Sequence, residues 1–319
     1  MIRKHKPLAG VIGLGIIGER VVACLRKSGF QVWIWNRSPR VQPNFMPSAR
    51  EVADLVKYIQ FFVSDGPALL SVLDEIVPTL TSDHIILSHA TISPQETLQA
   101  AKKVQQTGAQ FLEAPFTGSR DAAEKGELIY YIGGSVDVLE KVRPLLSASS
   151  KAILHLGEIG QASTVKIATN LISAASIQAV AEAFALLYRS AIPVATLVKA
   201  MEHNAALSPT MAMKFPCMLN GDFEPRFSLK NMFKDIQHAL RLASQYGLEL
   251  PAASSFAGSA ISGIQQGWGD LDFSVISRHF GFPPTEQNTK MSDGPVASSP
   301  PTPEKKPLKW SLFGSKNSE

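Results

Sequence analysis

The chain has 319 residues, 45% of them hydrophobic, with a formal net charge of +4 and a sequence pI of about 9.0. That length and apolar content suffice for a large core divided between two domains. The mild charge, with no clustered basic face in the globular part, argues against nucleic acid as the main partner. Two cysteines, Cys24 and Cys217, make neither a disulfide framework nor a metal site, which suits a reducing, cytoplasmic setting.

The N-terminal residues 1–7 run straight into a first strand, Ala9-Gly-Val-Ile12, leaving no room for a signal or transit segment. Gly13-Leu14-Gly15-Ile16-Ile17-Gly18 follows, and an amphipathic helical run covers 19–27. A lone G-x-G-x-x-G is weak, but here it leaves a strand and opens a helix, the context a dinucleotide fingerprint requires. Gly13 permits the tight turn, Gly15 lets a pyrophosphate reach the backbone, and Gly18 allows close helix–strand packing. The helix N-terminus adds N–H donors for the phosphates.

A second strand, 30–35, ends at Asn36-Arg37-Ser38. NAD-specific folds place Asp or Glu near this point to bond the ribose 2′-hydroxyl. This chain has no acid there: Asn36 removes the repulsion toward a 2′-phosphate, Arg37 pairs with it or stacks on adenine, and Ser38 donates a hydrogen bond. Arg40 is a second cation. The reading is NADP(H) over NAD, with a plain solvated turn as the alternative.

Apolar runs recur at 58–63, 84–88, 110–113 and 129–132, spaced by helix-like segments such as 66–77 and 94–107. This alternation predicts βαβ units in an α/β, Rossmann-type doubly wound parallel sheet. A helix over 137–146 and a short strand over 152–156 close an NADP-binding domain at 1–160. From Gln161 to Arg189 there is neither proline nor glycine, which predicts one long interdomain helix (161–190), about 43 Å at 1.5 Å per residue. Its uncharged stretch, 167–181, is interrupted by Asn170 and Gln178 and reads as too short and too polar to span a membrane. Helices at 194–203, 230–246, 252–266 and 271–279 predict an all-α C-terminal domain over 191–282. From Pro283 the composition turns to Pro, Ser, Thr and Lys, so 283–319 reads as a disordered tail. Within it, 305–313 mixes lysines with Trp310, Leu312 and Phe313, as a docking segment or an ordinary solubilising tail.

Two places can carry chemistry. Lys166 is the only Lys or Arg between Lys151 and Arg189 and sits inside the apolar long helix, with Asn170 one turn further on the same face. An unpaired buried ammonium is costly, so such a lysine has a partner or a function, or it snorkels to the surface. Desolvation would make it a usable proton donor near neutrality. The segment Glu113-Ala-Pro-Phe-Thr117-Gly118-Ser119 puts a hydroxyl and backbone N–H groups at the carboxyl edge of the sheet, suited to a small carboxylate or to a plain turn.

Taken together, these segments resemble the β-hydroxyacid dehydrogenase family, over about 8–282, nearest its glyoxylate/succinic semialdehyde reductase branch. The glycine turn at 13–18 matches, as does the substrate loop of type A-P-V-S-G-S at 114–119. The catalytic segment matches over 157–170 in Lys166, Asn170 and Gly160, and F-x-L-K-x-x-x-K-D matches at 227–235. Gly267-Trp-Gly-Asp-Leu-Asp-Phe-Ser274 resembles the reductase branch's C-terminal motif.

The resemblance implies Lys166 as catalytic acid and Asn170 as a substrate ligand. Thr117, Gly118 and Ser119 would hold the substrate carboxylate, with Phe227 and Asp235 on the substrate side, Asp235 also holding the helical domain against the site. Thr91 would lie near the nicotinamide, with Ser64 and Lys234 also at the cofactor. No metal is implied, and the assembly is a homodimer or homotetramer. Thr117 replaces the usual serine and narrows the pocket, and His89 stands where many members have aspartate. The expected activity is NADPH-dependent reduction of a small carboxylate-bearing aldehyde to a hydroxy acid. The alternatives are a 3-hydroxyisobutyrate-type dehydrogenase with promiscuous imine reduction, and a non-catalytic NADP-binding scaffold.

Overall fold

Each of the first five strands sorts its side chains between two helical layers. The computed structural model describes residues 7–282. β1 (Leu8–Ile12), β2 (Gln31–Trp35), β3 (Tyr58–Phe61), β4 (Ile85–Ser88) and β5 (Gln110–Glu113) form a parallel sheet in the order β2-β1-β3-β4-β5. Ala9, Val11, Ile85, Leu87 and Leu112 face one core, where α1 (Gly18–Lys27), α5 (Arg120–Lys125) and α6 (Val136–Ser147) bury Val21, Leu25, Ala123 and Val142. Ile12, Ile59, Phe61, Ile86 and Phe111 face the other, under α2 (Ala49–Leu55), α3 (Gly66–Ile76) and α4 (Pro94–Gln105). Alternation by the strand period of two thus builds a layer on each side of the sheet.

Local capping explains where these helices start. Asp65 accepts from the Ala68 N–H at α3, and Ser93 with Glu96 forms a reciprocal capping box at α4. The short α2, absent from the sequence reading, starts on Ser48, whose hydroxyl accepts from the Glu51 N–H.

The parallel, doubly wound arrangement holds through β5. Beyond it a second sheet, β6 (Phe116–Thr117), β7 (Leu128–Ile132) and β8 (Ser150–His155), pairs β6 with β7 antiparallel and β7 with β8 parallel. An antiparallel bridge between Glu113 and Gly133 joins the two sheets. The connection 118–127 is too short for a parallel crossover, so the chain must double back.

α7 (Gln161–Arg189) has the bounds its composition predicts. It packs with α10 (Leu229–Gln245), α11 (Pro251–Gln265) and a 3-10 helix, Phe273–Phe280, around Phe184, Ile236, Phe256 and Ile276. The last segment, expected as an α-helix, is 3-10, started by the Asp272 carboxylate accepting from the Ser274 N–H. α8 (Val194–Met201) precedes α9 (Pro209–Asn220), which the sequence reading lacks because Pro216 interrupts its pattern. α7 is also long and apolar enough to cross a membrane, contrary to the reading of 167–181. Asn170 and Gln178 are uncharged and do not offset so many Ala and Ile residues. About a third of that apolar span is buried in the core, including Ala174, Ile177, Ala181 and Phe184. The expectations for 283–319, including 305–313, lie outside the described residues.

Candidate active site

The glycine turn is dictated by backbone proximity. Gly13 has φ +98°, and a Cβ there would lie 2.2 Å from the Phe62 carbonyl oxygen. A Cβ on Gly18 would lie 2.1 Å from the Gly13 oxygen, so α1 begins directly against the turn. Gly15, by contrast, is exposed with open space in front of its α-carbon. That cradle fits a dinucleotide pyrophosphate, because the approach is free where a ligand needs it and closed where the protein packs. Ile16 is exposed beside it, Ile17 is partly buried, and Leu14 is buried in the core.

Asn36 is already engaged. Its Oδ1 accepts from the Leu14 N–H at 3.0 Å and its Nδ2 donates to the Ser38 carbonyl at 2.9 Å, clasping the ends of β1 and β2. Arg37, Ser38 and Arg40 are exposed beyond it. Ser64 donates to Asp65 at 2.7 Å. Burial raises the Asp65 carboxyl, but the Ser64 and Ala68 hydrogen bonds and the cations Lys234 and Arg37 outweigh it and hold it below the ordinary carboxylate range.

Lys166 is buried, and its Nζ donates to Asn170 Oδ1 at 2.9 Å. Asn170 Nδ2 donates to Asp235 Oδ2 at 2.6 Å, which fixes the amide's orientation. Lys234 Nζ lies 3.0 Å from Asp235 Oδ1 and donates to the Thr91 carbonyl. Hydrogen bonds from Lys166 through Asn170 to Asp235, and an ion pair from Asp235 to Lys234, therefore link α7 through α10 to the loop after β4. Burial pushes the Lys166 ammonium down to about 8, with Asp235 opposing and Lys234 assisting the shift. The amine does not snorkel: it sits where it can change protonation near neutral pH.

The loop 117–119 stands apart from that chain. Gly118 has φ +137° and packs against Leu128, while the Ser119 hydroxyl accepts from the Ala122 N–H and caps α5. Thr117 is half-buried in β6. Arg120 extends from α5 to an ion pair with Glu224 at 2.6 Å. Phe227 packs edge-on to Phe273, and its N–H donates to Asp272 at 3.1 Å.

His89 is a structural residue. It is buried, stacks on Phe62 at 4.3 Å, and contacts the Ala114 carbonyl through Nδ1 (2.7 Å) and the Gln60 side-chain amide through Nε2 (2.9 Å). Burial pushes it down to about 3, against the Ala114 bond, so it is neutral. The residue the sequence reading missed is Glu113, quoted only as the start of its segment. It is a buried carboxylate with four donors, all from the first residues of α7 or its N-cap. An acid at the carboxyl end of a parallel strand was the available signal. Among the described residues no cluster of His, Cys, Asp and Glu is arranged to hold a metal ion.

Comparison with known proteins agrees with this architecture. Residues 9–157 match the NAD binding domain of 6-phosphogluconate dehydrogenase, and residues 160–280 match the NAD-binding domain of NADP-dependent 3-hydroxyisobutyrate dehydrogenase. Glyoxylate/succinic semialdehyde reductase 1 of Arabidopsis thaliana is 28% identical over 277 residues, 84% of this chain and 96% of that protein. The 2-hydroxy-3-oxopropionate reductase of Escherichia coli K12 is 28% identical over 276 residues, 84% and 94% of the two chains. The 3-hydroxyisobutyrate dehydrogenase of Mycobacterium tuberculosis, 22% identical, shares the fold with a TM-score of 0.79 over 86% of this chain and 99% of its own. The glycine cradle, the long helix joining sheet to helical bundle and these matches along 9–280 make this chain a nicotinamide-dependent oxidoreductase that belongs to the β-hydroxyacid dehydrogenase family.

Proposed function

We propose that the protein is an NADPH-dependent reductase that converts small aldehyde acids, of the glyoxylate or succinic semialdehyde type, to hydroxy acids. The observation that carries this reading is the buried Lys166 amine, held by Asn170 and poised near neutral pH. A nicotinamide cofactor held by the glycine turn would supply the hydride to the carbonyl carbon. Lys166 has three N–H donors and spends one on Asn170, so two remain for the carbonyl oxygen, which takes up a proton from the ammonium as negative charge develops on it. Asp235, reached through Asn170, offsets the charge on the amine. The Thr117 hydroxyl and the backbone N–H groups of Gly118 and Ser119 anchor the substrate carboxylate, with Phe227 on the apolar side. Burial of Lys166 keeps water from the proton being moved.

The NADPH preference rests on Arg37 and Arg40, exposed beyond β2 where no acid stands. Glycine-turn backbone, Ser38, Ser64, Thr91 and Lys234 complete the cofactor contacts. A homodimer or homotetramer is part of the same reading, supported by the exposed apolar strip Val165, Ile172 and Leu186 on α7. So is a cytoplasmic setting, since Cys24 and Cys217 are free thiols. An amine near 8 serves oxidation as well as reduction, so a 3-hydroxyisobutyrate-type reaction uses the same groups in reverse. The test is NADPH and NADH oxidation with a panel of aldehyde acids; no turnover of any member rejects the reading.

A further inference from the structure

β5 ends in a carboxylate on which α7 begins. Glu113 Oε1 accepts from the N–H groups of Gly160 (2.6 Å) and Ala162 (2.9 Å), and Oε2 from the N–H (3.1 Å) and hydroxyl (2.5 Å) of Ser163. The first N–H groups of a helix have no partner within it, and a local side chain usually supplies one. Here no side chain next to the helix start caps it, and the cap comes from a strand remote in sequence. Its negative charge also meets the positive end of a 29-residue helix.

The fit is close on every side. Glu113 is 1% exposed, and a Cβ on Gly133 would lie 2.1 Å from its Oε1. The Ser163 hydroxyl also meets the Thr97 hydroxyl at 3.0 Å, tying α4 into the same knot. Burial raises the Glu113 carboxyl, an effect the Ser163, Ala162 and Gly160 bonds oppose. Position matters as much as contact. Ser163 is one turn before Lys166 on α7, and Glu113 directly precedes the segment 114–119 that presents Thr117, Gly118 and Ser119.

We propose that Glu113 is a positioning residue: its carboxylate fixes the first turn of α7 against the end of β5 and so sets the place of the Lys166 amine relative to the substrate loop. The catalytic consequence rests on the reductase reading above; the geometric one does not. Misplacing a reacting group by about 1 Å costs on the order of a hundredfold in rate, so a cap that holds the helix start carries catalytic weight without touching substrate.

The experiment compares wild type with Glu113→Gln, which keeps the shape but turns a donor toward Ser163, and with Ser163→Ala, which removes one of the four bonds. In Glu113→Gln, kcat should fall by about tenfold to a hundredfold while cofactor Kd stays within about threefold. In Ser163→Ala, the Lys166 amine, titrated by pH-dependent acylation and peptide mass spectrometry, should move upward by about 0.5 pH unit as its site admits water. That second readout needs no turnover. If wild type reduces no aldehyde acid, the reductase reading fails and the Lys166 titration still decides the positioning role. An unchanged titration in Ser163→Ala overturns the proposal. So does a Glu113→Gln enzyme that retains kcat, or one that loses cofactor affinity in step with kcat.

Discussion

Among the described residues two lysines are buried, in regions that treat the ammonium differently. In the helical core, Lys214 meets Asp272 through both oxygens, at 2.8 and 2.7 Å, and Asp272 also accepts from the N–H groups of Arg226, Phe227 and Ser274. That pair is internally compensated and pins α9 to the turn before the 3-10 helix. At the junction of α7 and α10, Lys166 has only a neutral amide as direct partner, and its nearest carboxylate is one residue removed. A saturated buried charge organises a fold; an undersaturated one keeps donors and a movable proton for something else.

The comparison can be broken most sharply at Lys214. Lys214→Ala strands a buried Asp272 carboxylate and should cost about 3–5 kcal/mol in denaturant unfolding. A loss below about 1 kcal/mol would mean that the pair behaves as an exposed one. Lys166→Ala should do the opposite: kcat drops by at least about a hundredfold while NADPH affinity and fold persist, as for loss of a general acid. Wild-type turnover by that variant would remove Lys166 from the mechanism.

Arg37→Ala should weaken NADPH by roughly tenfold to a hundredfold and leave NADH nearly untouched, since a charge-assisted phosphate contact is worth about 1.5–3 kcal/mol. The measurement is kcat/KM for both cofactors, and a wild type that already prefers NADH rejects the NADP reading outright. Asn36 is the less informative site, because an Asp there would keep the acceptor that Leu14 uses.

The pH dependence of Lys166 is the smallest effect. With Lys166 as the proposed proton donor, kcat for reduction should decline as pH rises through about 8, and the oxidative direction should rise there. Stability follows the same group with its own sign. The folded state releases this proton near 8 and the unfolded chain near the ordinary 10.5, so the unfolded state holds more protons between them. Stability should therefore increase with pH across that window, and Lys166→Met should abolish the increase. A flat wild-type curve would show that the amine is not depressed.

Much of the site was legible because its signals are local. Gly13 and Gly18 are glycines because neighbouring backbone leaves no room for a Cβ, and motif spacing reports that directly. The bounds of α7 followed from a run free of proline and glycine, and the isolation of Lys166 within it marked the amine before any contact was visible. His89, which stands where many family members have aspartate, is a neutral residue of the core, packed on Phe62 and contacting Ala114 and Gln60. The helices α2 and α9 escaped because one is short and the other carries Pro216.

Sequence alone thus determined which residues are special by steric or compositional necessity: the glycine turn, the long helix, the lysine and asparagine one turn apart. Tertiary structure decided what each is bonded to. Asn36 clasps Leu14 and Ser38. Asp235 reaches Lys166 only through Asn170. Glu113 caps a helix that starts far along the chain. The physical reason is common to all three. A buried polar group must find partners wherever packing brings them, and packing joins positions whose separation along the chain carries no periodic or steric signature.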